Sequence, residues 1–82
     1  MQSQRVQRTH LQILIEILSV CREPQVVTQV MSKTGVSLRK LGFCFRELIK
    51  QDMISFHHRK RTYVTTGKGL RYLQVWKEPV KA

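Results

Sequence analysis

The sequence predicts a small α+β domain that is mostly helical, in the order helix, helix, helix, strand, strand, helix. Apolar residues recur at spacings of three and four through most of the chain, as they do on the buried face of a helix. Only after Asp52 does this period give way to short runs of β-prone residues. A length of 82 residues with a 41% apolar share suits one domain with a thin core.

Helix one is predicted from about Val6 to Arg22. Its apolar residues form one stripe of Leu11, Leu14, Leu18 and Cys21 and a second stripe of Ile13 and Ile17. A face this broad is expected to serve both the core of the chain and a partner chain. Pro24 is expected to end the helical region.

Helices two and three are predicted on either side of the tight turn "TGVS". Thr28 is the N-cap candidate of helix two, and Gly35 is suited to the left-handed conformation that stops it. Ser37 is the N-cap candidate of helix three, which is predicted over about residues 38–51. Its inward face is predicted to hold Leu41, Cys44, Phe45, Leu48 and Ile49. Two helices joined by such a turn form a helix-turn-helix.

A β-hairpin is predicted over about residues 54–66, because "MISFHH" and "TYVTT" are short β-prone runs separated by three cations. No Asn-Gly or Asp-Gly pair fixes the turn type. A last helix is predicted over about residues 66–78, with Thr65 or Thr66 as its cap and Pro79 as its stop. Three helices followed by a basic hairpin, the wing, make a winged helix-turn-helix domain.

The charge balance indicates a polyanionic partner. Fifteen Lys and Arg residues face five acids, and a formal net charge of +10 repels itself in the free protein. An anionic membrane surface is disfavoured, because the cations are spread over a helix, the wing and the N-terminal segment. The polar start of the chain, the lack of a spanning apolar run and two distant cysteines predict a cytoplasmic, reduced protein, associated with the nucleoid if it binds DNA.

Helix three is the candidate recognition helix, because an α-helix fits the major groove of DNA. Arg39 and Arg46 are suited to guanine, whereas Lys40 and Lys50 are better suited to phosphates. Ser37 is placed to donate a hydrogen bond to a phosphate. The alternative is an ordinary solvated helix face. It is disfavoured because Glu47 is the only acid expected there.

Two other residues of the same face are unusual. Gly42 weakens the helix, which makes sense if a close neighbour such as DNA needs the space. Phe43 is expected either to contact a thymine methyl group or to pack on helix two.

The wing is the second candidate for DNA contact, because cations at a hairpin tip reach the minor groove or its flanking phosphates. The residues concerned are His58, Arg59, Lys60 and Arg61. The alternative is an edge hairpin that charge keeps soluble. Arg5 and Arg8 are expected to add phosphate contacts with less support.

No catalytic constellation, cofactor motif or small-molecule site is evident in the sequence. His57 and His58 point to opposite faces of a strand, so they are not expected to hold one metal ion together. Cys21 and Cys44 lie on apolar faces and are expected to be core residues. Tyr63 could be a core residue or a stacking platform beside the wing.

A homodimer is predicted, with two recognition helices about 34 Å apart on a roughly palindromic site. The predicted interface residues come from helix one and the last helix, and they are Leu11, Ile15, Leu18, Tyr72 and Trp76.

The local motifs together resemble a known family, the small basic archaeal winged-helix proteins that are predicted transcriptional regulators or chromatin-type DNA-binding proteins. The segments that carry the resemblance are Thr28-Gln29-Val30-Met31, Ser37, "LIKQDMI" and "YVTTGKGLRYL". The last two are similar to the family patterns Leu-Leu-x-x-Gly-Leu-Ile and Tyr-x-Thr-Thr-x-Lys-Gly-x-x-Leu, and the resemblance spans about Arg8 to Trp76. It implies a double-stranded DNA-binding protein. Asp52 stands where the family usually has glycine, and the long dimerising coiled coil of some members is not expected here.

Four functions therefore stay open. A transcriptional regulator requires base readout by Arg39 and Arg46, whereas an architectural, chromatin-type protein requires only charge. A winged helix within a transcription assembly would instead use its apolar helix faces to bind another protein. Binding to structured RNA is the fourth possibility.

Overall fold

The computed structural model describes residues 8–77 of the chain, and it contains the predicted elements in the predicted order. They are α1 (His10–Val20), α2 (Val27–Thr34), α3 (Leu38–Lys50), β1 (Ile54–His57), β2 (Thr62–Thr65) and α4 (Gly67–Lys77). The predicted fold class, a mostly helical α+β domain with winged helix-turn-helix order, is confirmed. None of the helices described in residues 8–77 combines the length and the apolar character that a bilayer-spanning helix needs.

Helix α1 is shorter than predicted because caps fix both of its ends. The Thr9 hydroxyl accepts a hydrogen bond from the Gln12 backbone N–H at 3.0 Å, and the Gln12 side chain accepts one from the Thr9 N–H at 2.8 Å. This reciprocal pair is a capping box. Cys21 is the C-cap, so Arg22 lies beyond the helix. The predicted start at Val6 lies outside the described residues.

The prediction that Thr28 caps α2 is wrong. Gln25 forms an isolated antiparallel bridge with Tyr63 of β2, which keeps the chain extended as far as Val26. The helix begins at the next residue, and the Gln29 side chain accepts a hydrogen bond from the Val26 N–H at 3.3 Å. Thr28 is therefore an exposed residue of the first turn.

The turn between α2 and α3 is as predicted. Gly35 has a φ of 74°, a left-handed conformation that suits glycine at a helix C-terminus. Ser37 is the N-cap of α3, and its hydroxyl accepts a hydrogen bond from the Lys40 N–H at 3.3 Å. The buried residues of α3 are Leu41, Cys44, Phe45 and Leu48. The prediction that Ile49 points inward is wrong. It lies about 100° around the helix from Leu48 and is 42% exposed.

The backbone conformation at Asp52, at the exit from α3, accounts for the glycine that the family pattern has at this position. Its φ of 62° is left-handed, a conformation that glycine adopts freely and that Asp tolerates better than most residues. Its carbonyl oxygen accepts a hydrogen bond from the Thr66 hydroxyl at 2.7 Å. The departure from the family pattern therefore keeps the backbone turn, at the cost of some strain.

The wing is a two-stranded antiparallel hairpin in which Ile54 pairs with Thr65 and His57 pairs with Thr62. The cations lie in the turn at residues 58–61, where Arg61 has a φ of 54°.

The two threonines that end the wing have different roles. Thr66 caps α4, because its hydroxyl accepts a hydrogen bond from the Gly69 N–H at 3.1 Å. Thr65 is buried instead, and its hydroxyl donates to the Leu18 carbonyl at 2.8 Å, which ties the wing to the end of α1. The predicted stop at Pro79 lies outside the described residues.

The core lies where α1, α2, α3 and β1 meet, and α4 adds Leu73. Gly69 allows the close approach of α4, since a Cβ atom there would lie 2.4 Å from the Met53 carbonyl oxygen. Cys21 and Cys44 are buried free thiols, as predicted. Burial raises the pKa of the Cys21 thiol to about 12 and raises the pKa of Cys44 as well, so both stay protonated at neutral pH.

Candidate nucleic-acid interface

One side of α3 faces away from the core and carries free cations. This outer face consists of Arg39, Gly42, Phe43, Arg46 and Lys50, which are all exposed and recur at the spacings of one helix face. Within residues 8–77 the Arg8 guanidinium pairs with Glu16 and the Glu47 carboxylate hydrogen-bonds to His10, so no described acid pairs with the cations of the outer face.

Glu47 does not share the outer face, contrary to the prediction. It lies on the flank of α3 toward α1, where its carboxylate is 2.9 Å from His10 Nε2. Lys40 lies on the same flank, partly buried, with its Nζ 3.4 Å from His10 Nδ1. The pairing with α1 removes the acid from the outer face. It also draws Lys40, a predicted phosphate contact, away from the outer-face cations.

Ser37 is exposed at the start of α3. Its oxygen serves as the acceptor of the cap bond from the Lys40 N–H, which leaves the hydroxyl hydrogen free to donate. That donor lies at the positive end of the helix dipole, where a phosphate is favoured. The cap and a phosphate contact are therefore compatible.

Packing within the described chain does not require a glycine at position 42. A Cβ atom at this position would meet nothing within 4 Å, although glycine weakens a helix by about 1 kcal/mol relative to alanine. The neighbouring Phe43 remains 59% exposed instead of burying its ring against α2. Together with Arg39 and Arg46 these residues line a shallow depression of about 210 Å³, here called the Gly42 notch.

The tip of the wing is a second group of exposed cations. Arg59, Lys60 and Arg61 are exposed, and none of them is ion-paired within residues 8–77. The turn is held by the Lys60 N–H, which donates to His57 Nδ1 at 3.3 Å. The ring of His58 packs edge-on against that of Phe56 in β1, with centroids 5.0 Å apart.

Stacked aromatic rings join α3 to the wing. The rings of Phe45 from α3 and Tyr63 from β2 are nearly parallel at 5°, with centroids 3.8 Å apart. Tyr63 also packs against Phe56 of β1 at 4.6 Å. Of the two roles considered for Tyr63, the structure therefore favours the core, where its ring packs between α3 and the wing.

Arg8 is not free for the phosphate contact predicted for it. Its guanidinium pairs with Glu16 and donates to the Thr34 carbonyl at 2.9 Å, so it links α1 to the end of α2. Arg5 lies outside the described residues.

The predicted dimer residues separate into two groups. Leu11 and Ile15 are partly buried and line a groove of about 390 Å³ with Trp76 of α4. Tyr72 packs against Trp76 with ring centroids 6.2 Å apart. Leu18 is 0% exposed, so its assignment to an interface is wrong. It lies on the side of α1 that the core covers completely.

Two features of this region were missed by reasoning from the sequence. The bridge between Gln25 and Tyr63 has no local signal, because it joins segments that are far apart in the chain. The hydrogen bond between His10 and Glu47 spans a similar separation, so it has no local signal either. Within residues 8–77 no group of three or more His, Cys, Asp and Glu side chains could hold a metal ion.

The comparisons with known proteins agree with this geometry at the level of the family. A family model described as winged helix-turn-helix matches residues 7–81. No curated protein and no solved structure matches the chain significantly. Because the family match covers nearly the whole chain and the fold has the order that the name describes, the chain belongs to the winged helix-turn-helix family.

Proposed function

We propose that this chain is a double-stranded DNA-binding protein that acts as a transcriptional regulator, in the cytoplasm and on the nucleoid. The winged helix-turn-helix is a DNA-binding fold that is typically not catalytic. The observation that carries the proposal is the outer face of α3, whose cations pair with no acid of residues 8–77, since Glu47 hydrogen-bonds to His10 on the flank. An exposed cationic helix face of this kind suits the major groove.

The cations of the two surfaces have different roles in the proposal. Arg39 and Arg46 read guanine, because a guanidinium donates two parallel hydrogen bonds to O6 and N7. Lys50, at the C-terminal end of the same face, neutralises a phosphate. The wing residues His58, Arg59, Lys60 and Arg61 contact the backbone or enter the minor groove. Ser37 donates to a phosphate at the start of α3, and Lys40 reaches one only by leaving His10.

Paired variants distinguish a regulator from an architectural protein. In a regulator, Arg46→Ala is expected to lower the preference for the best duplex over a scrambled one by about 1–3 kcal/mol, since it removes a bidentate base contact. Lys60→Ala is expected to weaken binding to both duplexes alike. Fluorescence anisotropy with the best duplex from a random pool and its scrambled counterpart measures both effects.

The control for this pair is Gln74→Ala, which changes an exposed residue of α4 outside both surfaces. If Arg46→Ala and Lys60→Ala lose the same affinity on every duplex, the protein is architectural and binds through charge alone. If neither variant nor the parent protein binds duplex DNA, the proposal fails. Competition by structured RNA in the same titration would identify RNA as the ligand instead.

We also propose that the protein is a homodimer through α1 and α4. The apolar surface of α4 consists of Val75, 72% exposed, and Trp76, 47% exposed, and Trp76 lines a groove with Leu11 and Ile15 that also contains Arg8, Gln12 and Glu16. Sedimentation is expected to show a dimer at micromolar concentration. Trp76→Ala is expected to shift the equilibrium toward the monomer, and the monomer should stay folded because Trp76 is exposed. A monomeric parent protein would contradict the proposal.

The same apolar surface favours a second candidate function. If it bound a different protein, the chain would be a subunit of a transcription assembly rather than a self-paired regulator. Co-purification of one defined partner at equal stoichiometry, together with no shift of duplex DNA, is the result that this function predicts.

A further inference from the structure

The Gly42 notch is open on the side of α3 that faces away from the core. Arg39 lies about one turn before it and Arg46 about one turn after it, while Phe43 forms its wall. A Cβ atom at position 42 would meet nothing within 4 Å, so packing within the described chain does not require the glycine. The notch is thus a small apolar recess bounded by two guanidinium groups.

The notch matches a group found in the major groove. Each thymine presents its C5-methyl group there, which is the apolar feature of an otherwise polar surface, and side chains such as Phe make apolar contact with it. A guanine next to such a base presents the O6 and N7 acceptors that a guanidinium binds. Along α3, the apolar recess would face the methyl group and a neighbouring arginine would face the guanine acceptors.

We infer that the Gly42 notch receives the C5-methyl group of a pyrimidine, with the Phe43 ring against the methyl group and a guanine bound by Arg39 or Arg46. The inference rests on the proposed function, and it specifies which base α3 recognises. Arg39 and Arg46 are seven positions apart, which corresponds to about 10 Å along α3, or about three base-pair steps. The preferred site should therefore contain a methylated pyrimidine within about three steps of a guanine.

Thymine and 5-methylcytosine carry the same methyl group, so the test has two arms. The best duplex from a random pool is bound in its original form and with each thymine replaced in turn by deoxyuridine, which lacks only the methyl group. In the second arm each cytosine is replaced by 5-methylcytosine. We expect one position at which removing the methyl group weakens binding about three- to fivefold, the value for one buried methyl group.

The two arms identify the base. A loss on thymine replacement assigns the methyl group to thymine, whereas a gain on cytosine methylation at a position near guanine assigns it to 5-methylcytosine. Either result supports the inference. Tight binding with no methyl effect at any position overturns this inference and leaves the proposed function intact. The absence of binding to any duplex overturns both.

Two variants test whether the notch itself is responsible. Gly42→Leu fills the recess with a residue that favours helix, so it should fold, and the ratio of affinities for the thymine and deoxyuridine duplexes should fall to about one. The matched control is Gly67→Leu, at the exposed first residue of α4, where a Cβ atom has only an ordinary contact with Arg71 at 3.8 Å. This control should keep the full ratio. If Gly42→Leu also keeps it, the methyl group is read elsewhere and the inference is wrong.

Discussion

The affinity of this protein for a DNA duplex is expected to fall about 10³–10⁵-fold between 50 and 200 mM salt if a dimer engages six to ten phosphates. The physical reason is the release of counterions from each phosphate that a cation neutralises. The exposed cations that the proposal assigns to the DNA backbone are Lys50, Arg59, Lys60 and Arg61, none of which is ion-paired within residues 8–77. Titrations at several salt concentrations give the slope directly.

Single substitutions make the salt prediction specific. Lys60→Ala removes one phosphate contact per chain, so the slope of log affinity against log salt should become shallower by about one for each chain bound. Gln74→Ala, on an exposed position of α4 outside both surfaces, should leave the slope unchanged. An affinity for duplex DNA that does not respond to salt would contradict the whole electrostatic argument.

Phe45→Ala is expected to lower the free energy of unfolding by about 3–5 kcal/mol. Phe45 is only 4% exposed and its ring stacks on Tyr63, so the truncation removes core volume and the contact that joins α3 to the wing. A domain of this size has a total stability of about 5–10 kcal/mol, so the variant should be close to unfolding. Urea denaturation followed by far-UV circular dichroism measures the loss.

Phe43→Ala is the matched control, because it makes the same chemical change two residues earlier on the same helix. Phe43 is 59% exposed, so its loss of stability should stay within about 0.5 kcal/mol. If the two variants lose similar stability, the outer and inner faces of α3 have been assigned incorrectly. A loss below about 1 kcal/mol for Phe45→Ala would show that the stack with Tyr63 does not hold the wing.

The elements and most of their ends could be predicted from the sequence because their causes are local. The 3.6-residue period of Leu41, Cys44, Phe45 and Leu48 is present in the sequence before any packing is known. The cap at Ser37 and the left-handed Gly35 depend on the chemistry of single residues and their neighbours. The cap of α2 was mispredicted because a distant strand decides where that helix begins.

The candidate site was predictable only in outline. Helical spacing places Arg39, Arg46 and Lys50 on one face of α3. Glu47 and Lys40 lie about 80–100° around the helix from Arg39, and spacing alone does not show whether another element covers that flank. Their positions depend on His10, which is 37 residues from Glu47 in the chain.

The sequence by itself determined the order of the helices and strands and the surplus of positive charge, because periodicity, capping residues and composition act within a few residues or over the whole chain. Only the tertiary structure decided that Leu18 is covered while Leu11 and Ile15 line a groove, and that His10 removes the one acid of α3 from beside its cations. The reason is physical. Which side of a broad apolar helix is buried, and which charge finds a partner, depends on elements that the fold brings together from distant parts of the chain.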